Sequence, residues 1–176
     1  MKLTSKILSI LVIPTMFVFQ SCLEQVEFPV EPYIEFREFA KIIEDTSGID
    51  NRGVLEIYYQ DGDGDIGLTE LDTLPGREYN LFIRYFEKID GKFEEVFITY
   101  YDNDSMKLDT ISMNGRIPLL TPAGKNKAIK GIIQDTLYIN NYSSPYDTIR
   151  FEVYIKDRAF HESNRVTTPE IWIRKQ

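Results

Sequence analysis

The chain has 176 residues, of which 43% are hydrophobic and 27% are charged, and its formal net charge is −8 at pH 7. This length is that of one domain with its own core, and the acidic balance argues against nucleic acid or anionic lipid headgroups as partners. The sequence contains a single cysteine, which excludes an internal disulfide, so the core must hold the fold unaided.

The N-terminal segment has the three parts of an export signal. The first six residues carry two lysines and no acid, residues 7–19 are an almost wholly apolar run, and Ser21 precedes Cys22. The run is shorter than the roughly 20 residues of a membrane-spanning helix. We expect residues 1–21 to be a lipoprotein signal peptide and Cys22 to be the lipidated first residue of the mature chain. The alternatives are an ordinary signal peptide that leaves Cys22 as a free thiol, and an uncleaved anchor helix.

The segment after the cysteine has the composition of a tether. Removing the leader leaves 18 basic and 28 acidic residues, a net charge of −10. Residues 22–32 contain two prolines and three glutamates without a stable apolar period. We expect this stretch to lift the domain off the bilayer, and residues 33–176 to form the domain.

Apolar and polar residues alternate along several short segments of the domain, as in strands with one buried face. In residues 148–156 the apolar set is Ile149, Phe151, Val153 and Ile155. Asp90 and Gly91 stand between two apolar segments and indicate a tight hairpin, because both turn positions need positive φ. The predicted strand segments are 33–39, 54–60, 79–98 as a hairpin, 129–139, 148–156 and a short one around Ile171 and Ile173.

No segment of the mature chain has a sustained apolar period of 3.6 residues. Many short strands with one buried face each, together with eleven tyrosines and eleven phenylalanines, predict an all-β protein. The favoured architecture is an antiparallel two-sheet sandwich. A small barrel is the alternative.

One loop carries an identifiable chemistry. Asp61, Asp63 and Asp65 alternate with glycines directly after a predicted strand. Carboxylates this close repel one another, and each glycine adds backbone entropy that folding must overcome. A Ca²⁺ ion takes roughly six to eight oxygen ligands and removes the repulsion. Glu70 and Asp72 follow and are candidates to complete the shell.

The loop matches an EF-hand only in part. Ile66 stands where the turn glycine belongs, Gly67 comes one place late, and Asp72 stands where a glutamate is usual. We therefore expect a structural Ca²⁺ site on a β-scaffold, with Asp61, Asp63, Asp65 and Asp72 as ligands. The alternative is a solvent-exposed acidic turn that binds no ion.

A second polar cluster follows the strand at 148–156. Asp157 would reach the same pole of a sandwich, either as a ligand from across the sheets or as a residue behind the first ligands. In the alternative, Asp157 and Arg158 pair with neighbouring side chains while Ser163 and Asn164 cap a turn.

The sequence offers no pattern that is typical of an enzyme. His161 is the only histidine, and no serine-nucleophile elbow, histidine zinc motif or phosphate loop accompanies it. We expect a non-enzymatic protein, and a hydrolase with a carboxylate pair is the alternative.

Aromatic side chains outside the predicted core are the other candidate for binding. Such residues stack on sugars or anchor a protein partner, or else they pack within the second sheet. They are Tyr58, Tyr100, Tyr101, Tyr142, Tyr146 and Trp172.

The chain resembles a group of small Bacteroidetes outer-membrane lipoproteins. The resemblance rests on the signal, on residues 59–67, on the strand at 80–82 with its hairpin at Asp90 and Gly91, and on a closing set of polar residues. That set is Asp157, Arg158, Ser163, Asn164, Thr167, Thr168 and Pro169. The resemblance implies an outer-membrane location and an immunoglobulin-like fold, and it implies nothing about chemistry.

Together these observations predict a lipid-anchored, non-enzymatic envelope protein. It would be a binding or accessory subunit of an outer-membrane complex, on either face of that membrane. Its partners would be the membrane, through lipidated Cys22, and an envelope protein, with no nucleic acid. The alternative is a surface glycan-binding lipoprotein beside a carbohydrate importer.

Overall fold

The computed structural model describes residues 28–43, 48–104, 106–121 and 127–175. The predicted signal peptide, Cys22 and the predicted tether up to residue 27 lie outside these ranges. The described residues form ten strands and no helix: β1 (Tyr33–Ile42), β2 (Arg52–Asp61), β3 (Leu81–Ile89), β4 (Lys92–Glu95), β5 (Thr99–Asp102), β6 (Lys107–Thr110), β7 (Ile129–Tyr138), β8 (Thr148–Ile155), β9 (Val166–Thr167) and β10 (Ile171–Trp172).

The strands form two principal antiparallel sheets and a separate hairpin. The first sheet has the order β1-β2-β7, and the second has the order β4-β3-β8 with β9 and β10 both paired to the outer side of β8. Strands β5 and β6 pair with each other. This strand order is that of an immunoglobulin-type sandwich, in which β9 and β10 together take the place of its last strand. The predicted all-β, antiparallel two-sheet fold is confirmed.

The core lies between the two sheets and contains the residues that alternation assigned to the inside. Leu55 and Ile57 of β2 belong to one buried cluster with Phe151, Val153 and Ile155 of β8. Intervening residues of both strands are half-buried. Period-two patterning therefore located the buried faces correctly.

The hairpin between β3 and β4 turns where the sequence predicts. Asp90 has a φ of 49° and Gly91 a φ of 82°, and the paired residues Ile89 and Lys92 close the turn. The returning strand is shorter than expected, however, because β4 ends at Glu95.

The β5–β6 hairpin is absent from the sequence prediction. All but one of its eight strand residues are exposed, so it lacks the buried alternation that marks a strand in sequence. At its base, Ile111 N donates to Ile98 O at 2.8 Å. The chain thus leaves the second sheet, forms an exposed hairpin and returns.

Side chains close part of the outer edge of β8. Ile155 N donates to Ser163 Oγ and Phe151 N donates to Thr168 Oγ1, both at 3.0 Å. The amides of Ser163 and Thr168 donate back to the carbonyls of the same two β8 residues. Each hydroxyl takes the place of one backbone acceptor of a strand ladder. The backbone amides along the edge of β8 therefore find acceptors although β9 has only two residues.

Replacing Thr168 with valine is expected to destabilise the protein by about 1–2 kcal/mol, because the buried Phe151 N–H loses its acceptor. Thr168→Ser keeps the hydroxyl and is the matched control, with a smaller expected loss. Urea unfolding of the two variants and the wild type measures the difference. A Thr168→Val variant as stable as the wild type would show that this hydrogen bond does not stabilise the fold.

Candidate metal site

The aspartate loop, residues 61–67, lies at the end of the sandwich where the chain enters the domain. Strand β2 ends at Asp61 directly opposite Ile129, the first residue of β7. Strand β8 ends here too, since Asp157, two residues after its last residue, lies close enough for its charge to raise the pKa of Asp65. We call this end the entry pole.

The loop brings three carboxylates into one cluster. Asp61, Asp63 and Asp65 each offer one oxygen, and these oxygens all lie within 4.8 Å of one another. Asp61 is completely buried, and the other two are half-buried. The Oδ1 atom of each residue is buried without a hydrogen-bond partner among the described residues. Buried acceptors are rarely left unpaired, so three at one place are typical of a site that takes a cation.

The backbone of the loop is held in its curled form by Asp61. Its Oδ2 accepts hydrogen bonds from Asp65 N at 2.9 Å and from Ile66 N at 3.3 Å. Ile66 is fully buried in the core, which anchors the loop from below. The curl therefore comes from the Asp61 side chain and from core packing, and it turns the remaining carboxylate oxygens towards one another.

The electrostatics of the loop disfavour three bare negative charges. Burial and the charge of Asp63 raise the pKa of Asp61 to about 6, against hydrogen bonds from Ile66 N and Asp65 N. Burial, then Asp157, then Asp63 raise the pKa of Asp65. A bound cation would relieve this repulsion and lower both pKa values.

The donor set fits a hard divalent cation. It consists of carboxylate oxygens, without sulfur or imidazole among the clustered ligand atoms. Such a set suits Ca²⁺ or Mg²⁺ better than Zn²⁺ or copper. Three aspartates would supply part of the roughly six to eight oxygen ligands of a Ca²⁺ ion, and carbonyl or water oxygens would supply the rest.

Asp72 does not join the cluster, contrary to the EF-hand-like spacing. Its Oδ2 accepts from both the amide and the hydroxyl of Thr69 at 2.8 Å, and its Oδ1 accepts from Arg77 at 2.9 Å. The Thr69 bonds, with Arg158 and Arg77 nearby, lower the pKa of Asp72 to about 2. The chain turns away because Leu68 is drawn into the core and its amide donates to Ile117 O. Glu70 is exposed.

Asp157 lies beside the cluster but outside its group of converging oxygens. Its side chain is fully buried, and its charge raises the pKa of Asp65. Both of its oxygens are engaged by His161: Oδ1 accepts from the backbone amide, and Oδ2 lies 2.8 Å from Nδ1. This contact raises the pKa of His161. Asp157 thus faces the cluster from β8 while its oxygens hold the following turn.

Asn164 is a structural residue of the entry pole that sequence reasoning misjudged. Its Oδ1 accepts from Ile34 N and its Nδ2 donates to Ile34 O, each at 2.9 Å. It therefore ties β1 to the turn after β8 rather than capping a turn of its own. The two residues are 130 positions apart, so no local pattern reveals the pairing.

The candidate aromatic residues fall in three different places. Tyr100 and Tyr101 are exposed on the β5–β6 hairpin, and Tyr142 and Trp172 are exposed towards the end opposite the entry pole. Tyr58 is half-buried with Arg37 stacked 4.9 Å from its ring centre. Tyr146 is half-buried as well. They therefore do not form one aromatic platform.

Within the described ranges, no helix has the length and apolar character needed to cross a bilayer. Comparisons with protein-family models, with curated proteins and with solved structures found no match.

Proposed function

We propose that this protein is a non-enzymatic, lipid-anchored subunit of an outer-membrane complex that binds a protein partner. Cys22 carries the lipid, and a structural Ca²⁺ at Asp61, Asp63 and Asp65 stabilises the entry pole. The signal-like N terminus supports the anchor, and the three unpartnered carboxylate oxygens support the ion.

The exposed apolar face of the β5–β6 hairpin carries the proposal of a protein partner. Tyr101 and Leu108 are directly opposite each other in the register, and they are 53% and 73% exposed. The Sδ atom of Met106 lies 3.7 Å from the Tyr101 hydroxyl. Met106 and Phe97, at the base of the hairpin, are exposed to a similar degree. Apolar patches of this kind mark interaction sites, and an isolated two-stranded hairpin is marginally stable without a covering surface.

The charged residues around this face indicate the charge that a partner surface would carry. Asp102, Asp104 and Asp109 lie on the hairpin with a single basic residue, Lys107. Electrostatic complementarity then favours a partner with an apolar groove and a basic rim. A nucleic acid would be repelled by these acids.

A glycan ligand is the second candidate function. Trp172 and Tyr142, at the end opposite the entry pole, are 54% and 63% exposed. Exposed aromatic rings stack on sugars. Lys41 Nζ lies over the Trp172 ring, 5.3 Å from its centre.

Site-specific photo-crosslinking in intact cells tests the two functions. A photoreactive amino acid is placed at Leu108, at Trp172 or at Lys92, an exposed control position on β4. We expect a discrete protein adduct from Leu108 and none from Lys92. Tyr101→Arg, which puts a positive charge on the apolar face, should abolish the adduct, and Tyr142→Arg should leave it intact.

The outcomes separate the candidates. A protein adduct that survives Tyr101→Arg, or no adduct from Leu108, would rule out the hairpin as the docking surface. An adduct from Trp172 alone that disappears after glycosidase treatment would favour the glycan-binding function.

A further inference from the structure

The chain segment that enters the domain packs directly on the aspartate loop. Gly62 N donates to Pro29 O at 2.8 Å. A Cβ atom at Gly62 would lie 2.2 Å from Phe28 O and 2.6 Å from Pro29 O, which is far inside contact distance. We call residues 28–32 the stem. The stem can pack this closely on the loop only because position 62, between Asp61 and Asp63, is a glycine.

A second segment presses on the loop elsewhere. A Cβ atom at Gly64 would lie 1.8 Å from Lys127 O, and the Thr121 hydroxyl donates to Gly64 O at 2.5 Å. The loop is thus held between the stem on one side and Thr121 and Lys127 on the other. The two glycines of the motif serve close backbone packing as well as loop curvature.

Among the described residues, no ion pair with a basic side chain compensates the carboxylates enclosed by this packing. Asp61 is completely buried, and its Oδ1 has no partner among the described residues. In the metal-free loop, repulsion among the three carboxylates works against the closed arrangement on which the stem rests. A cation at their centre removes that repulsion, so ion binding and stem docking stabilise each other.

We propose that calcium at Asp61, Asp63 and Asp65 fastens the stem to the domain. The inference rests on the proposed calcium site and adds a regulatory consequence to it. Phe28 is six residues after Cys22, so the attachment point lies within roughly 20 Å of Phe28 along the chain. With calcium the stem is docked on the entry pole, and the connection between Cys22 and the domain is short. Without calcium the stem is released, and the connection is longer and more mobile.

Hydrogen exchange of the Gly62 amide tests this coupling, because that amide is the donor to the stem. The full chain is studied in detergent micelles with calcium or with chelator, and calorimetry on the same samples measures Ca²⁺ binding. We expect calcium to slow the exchange of Gly62 by at least about tenfold. Asp63→Asn should abolish both the binding and the slowing, and Asp104→Asn, which removes an acid from the exposed hairpin, should change neither.

The two readouts distinguish failure of the site from failure of the coupling. Calcium binding with unchanged Gly62 exchange would overturn the fastening of the stem and leave the proposed site intact. Absence of calcium binding would overturn both. Gly62→Ala forces the stem off while keeping all three carboxylates, so rapid exchange of the amide at position 62 is expected in that variant even with calcium present.

Discussion

Calcium is expected to raise the melting temperature by roughly 5–10 °C above that of the calcium-free protein. An ion at a hundredfold excess over its dissociation constant adds about 2.7 kcal/mol of stability by mass action. Each kcal/mol shifts the melting temperature of a chain of this size by about 2–4 °C. Thermal unfolding of the full chain in calcium and in chelator measures the effect.

The stabilisation by calcium should increase as the pH rises. In the metal-free fold the pKa of Asp61 is raised to about 6 from an ordinary value of 3.8. The folded state therefore binds a proton that the unfolded chain has already released, and stability in chelator falls as the pH rises from about 4 to about 6. Calcium removes this loss by compensating the ionised carboxylates. The stabilisation by calcium should thus be small near the bottom of that window and complete above it.

Asp63 is the best residue to remove as a test of the site. Asp61 also holds two backbone amides of the loop, so its replacement would damage the fold directly. Asp65 lies beside Asp157, whose charge raises the pKa of Asp65, so its replacement would also change the electrostatics of the turn after β8. Asp63→Ala should erase the calcium shift, and Asp104→Ala should preserve it. A shift of the same size in both variants would mean that calcium acts elsewhere on this acidic chain.

Gly64→Ala is expected to destabilise the protein by about 2–5 kcal/mol even in chelator. Gly64 has a φ of +67°, and its new Cβ would meet Lys127 O at 1.8 Å. The left-handed conformation costs about 1–2 kcal/mol for a residue with a side chain, and displacing packed backbone adds about 1–3 kcal/mol. Because the loop must also shift, calcium affinity should fall.

Gly91→Ala is the matched control for the conformational part of this cost. Gly91 has a φ of +82°, but nothing lies within 4 Å of a Cβ built there. We expect a loss of about 1–2 kcal/mol and unchanged calcium binding. Urea unfolding of both variants at constant m-value gives the comparison. If Gly64→Ala costs no more than Gly91→Ala, the backbone near Lys127 does not press on the loop.

Local pattern was sufficient to predict most of the fold. Strand β8 was evident because apolar residues alternate along all of it, and the β3–β4 turn was evident because Asp90 and Gly91 suit positive φ. These features depend on residues a few positions apart. The β5–β6 hairpin escaped prediction because it has no buried face, and β9 escaped because neither of its two residues is fully buried.

Only part of the candidate site was open to the same reasoning. The spacing of Asp61, Asp63 and Asp65 predicts clustering, since alternate residues of a tight curl converge. Asp72 was wrongly included because spacing says nothing about competing partners, and Thr69 and Arg77 occupy its oxygens.

The sequence by itself determined the all-β class, the inward faces of the main strands and the acidic loop at the end of β2, because each follows from short-range patterning. Tertiary structure alone decided that Asn164 binds Ile34, that Asp157 faces Asp65 and that the stem rests on Gly62. These contacts join residues far apart in the chain, and they depend on which strand ends meet at one pole. The physical reason is that the sheets must pack before the aspartate side chains are buried and their oxygens are left without hydrogen-bond partners.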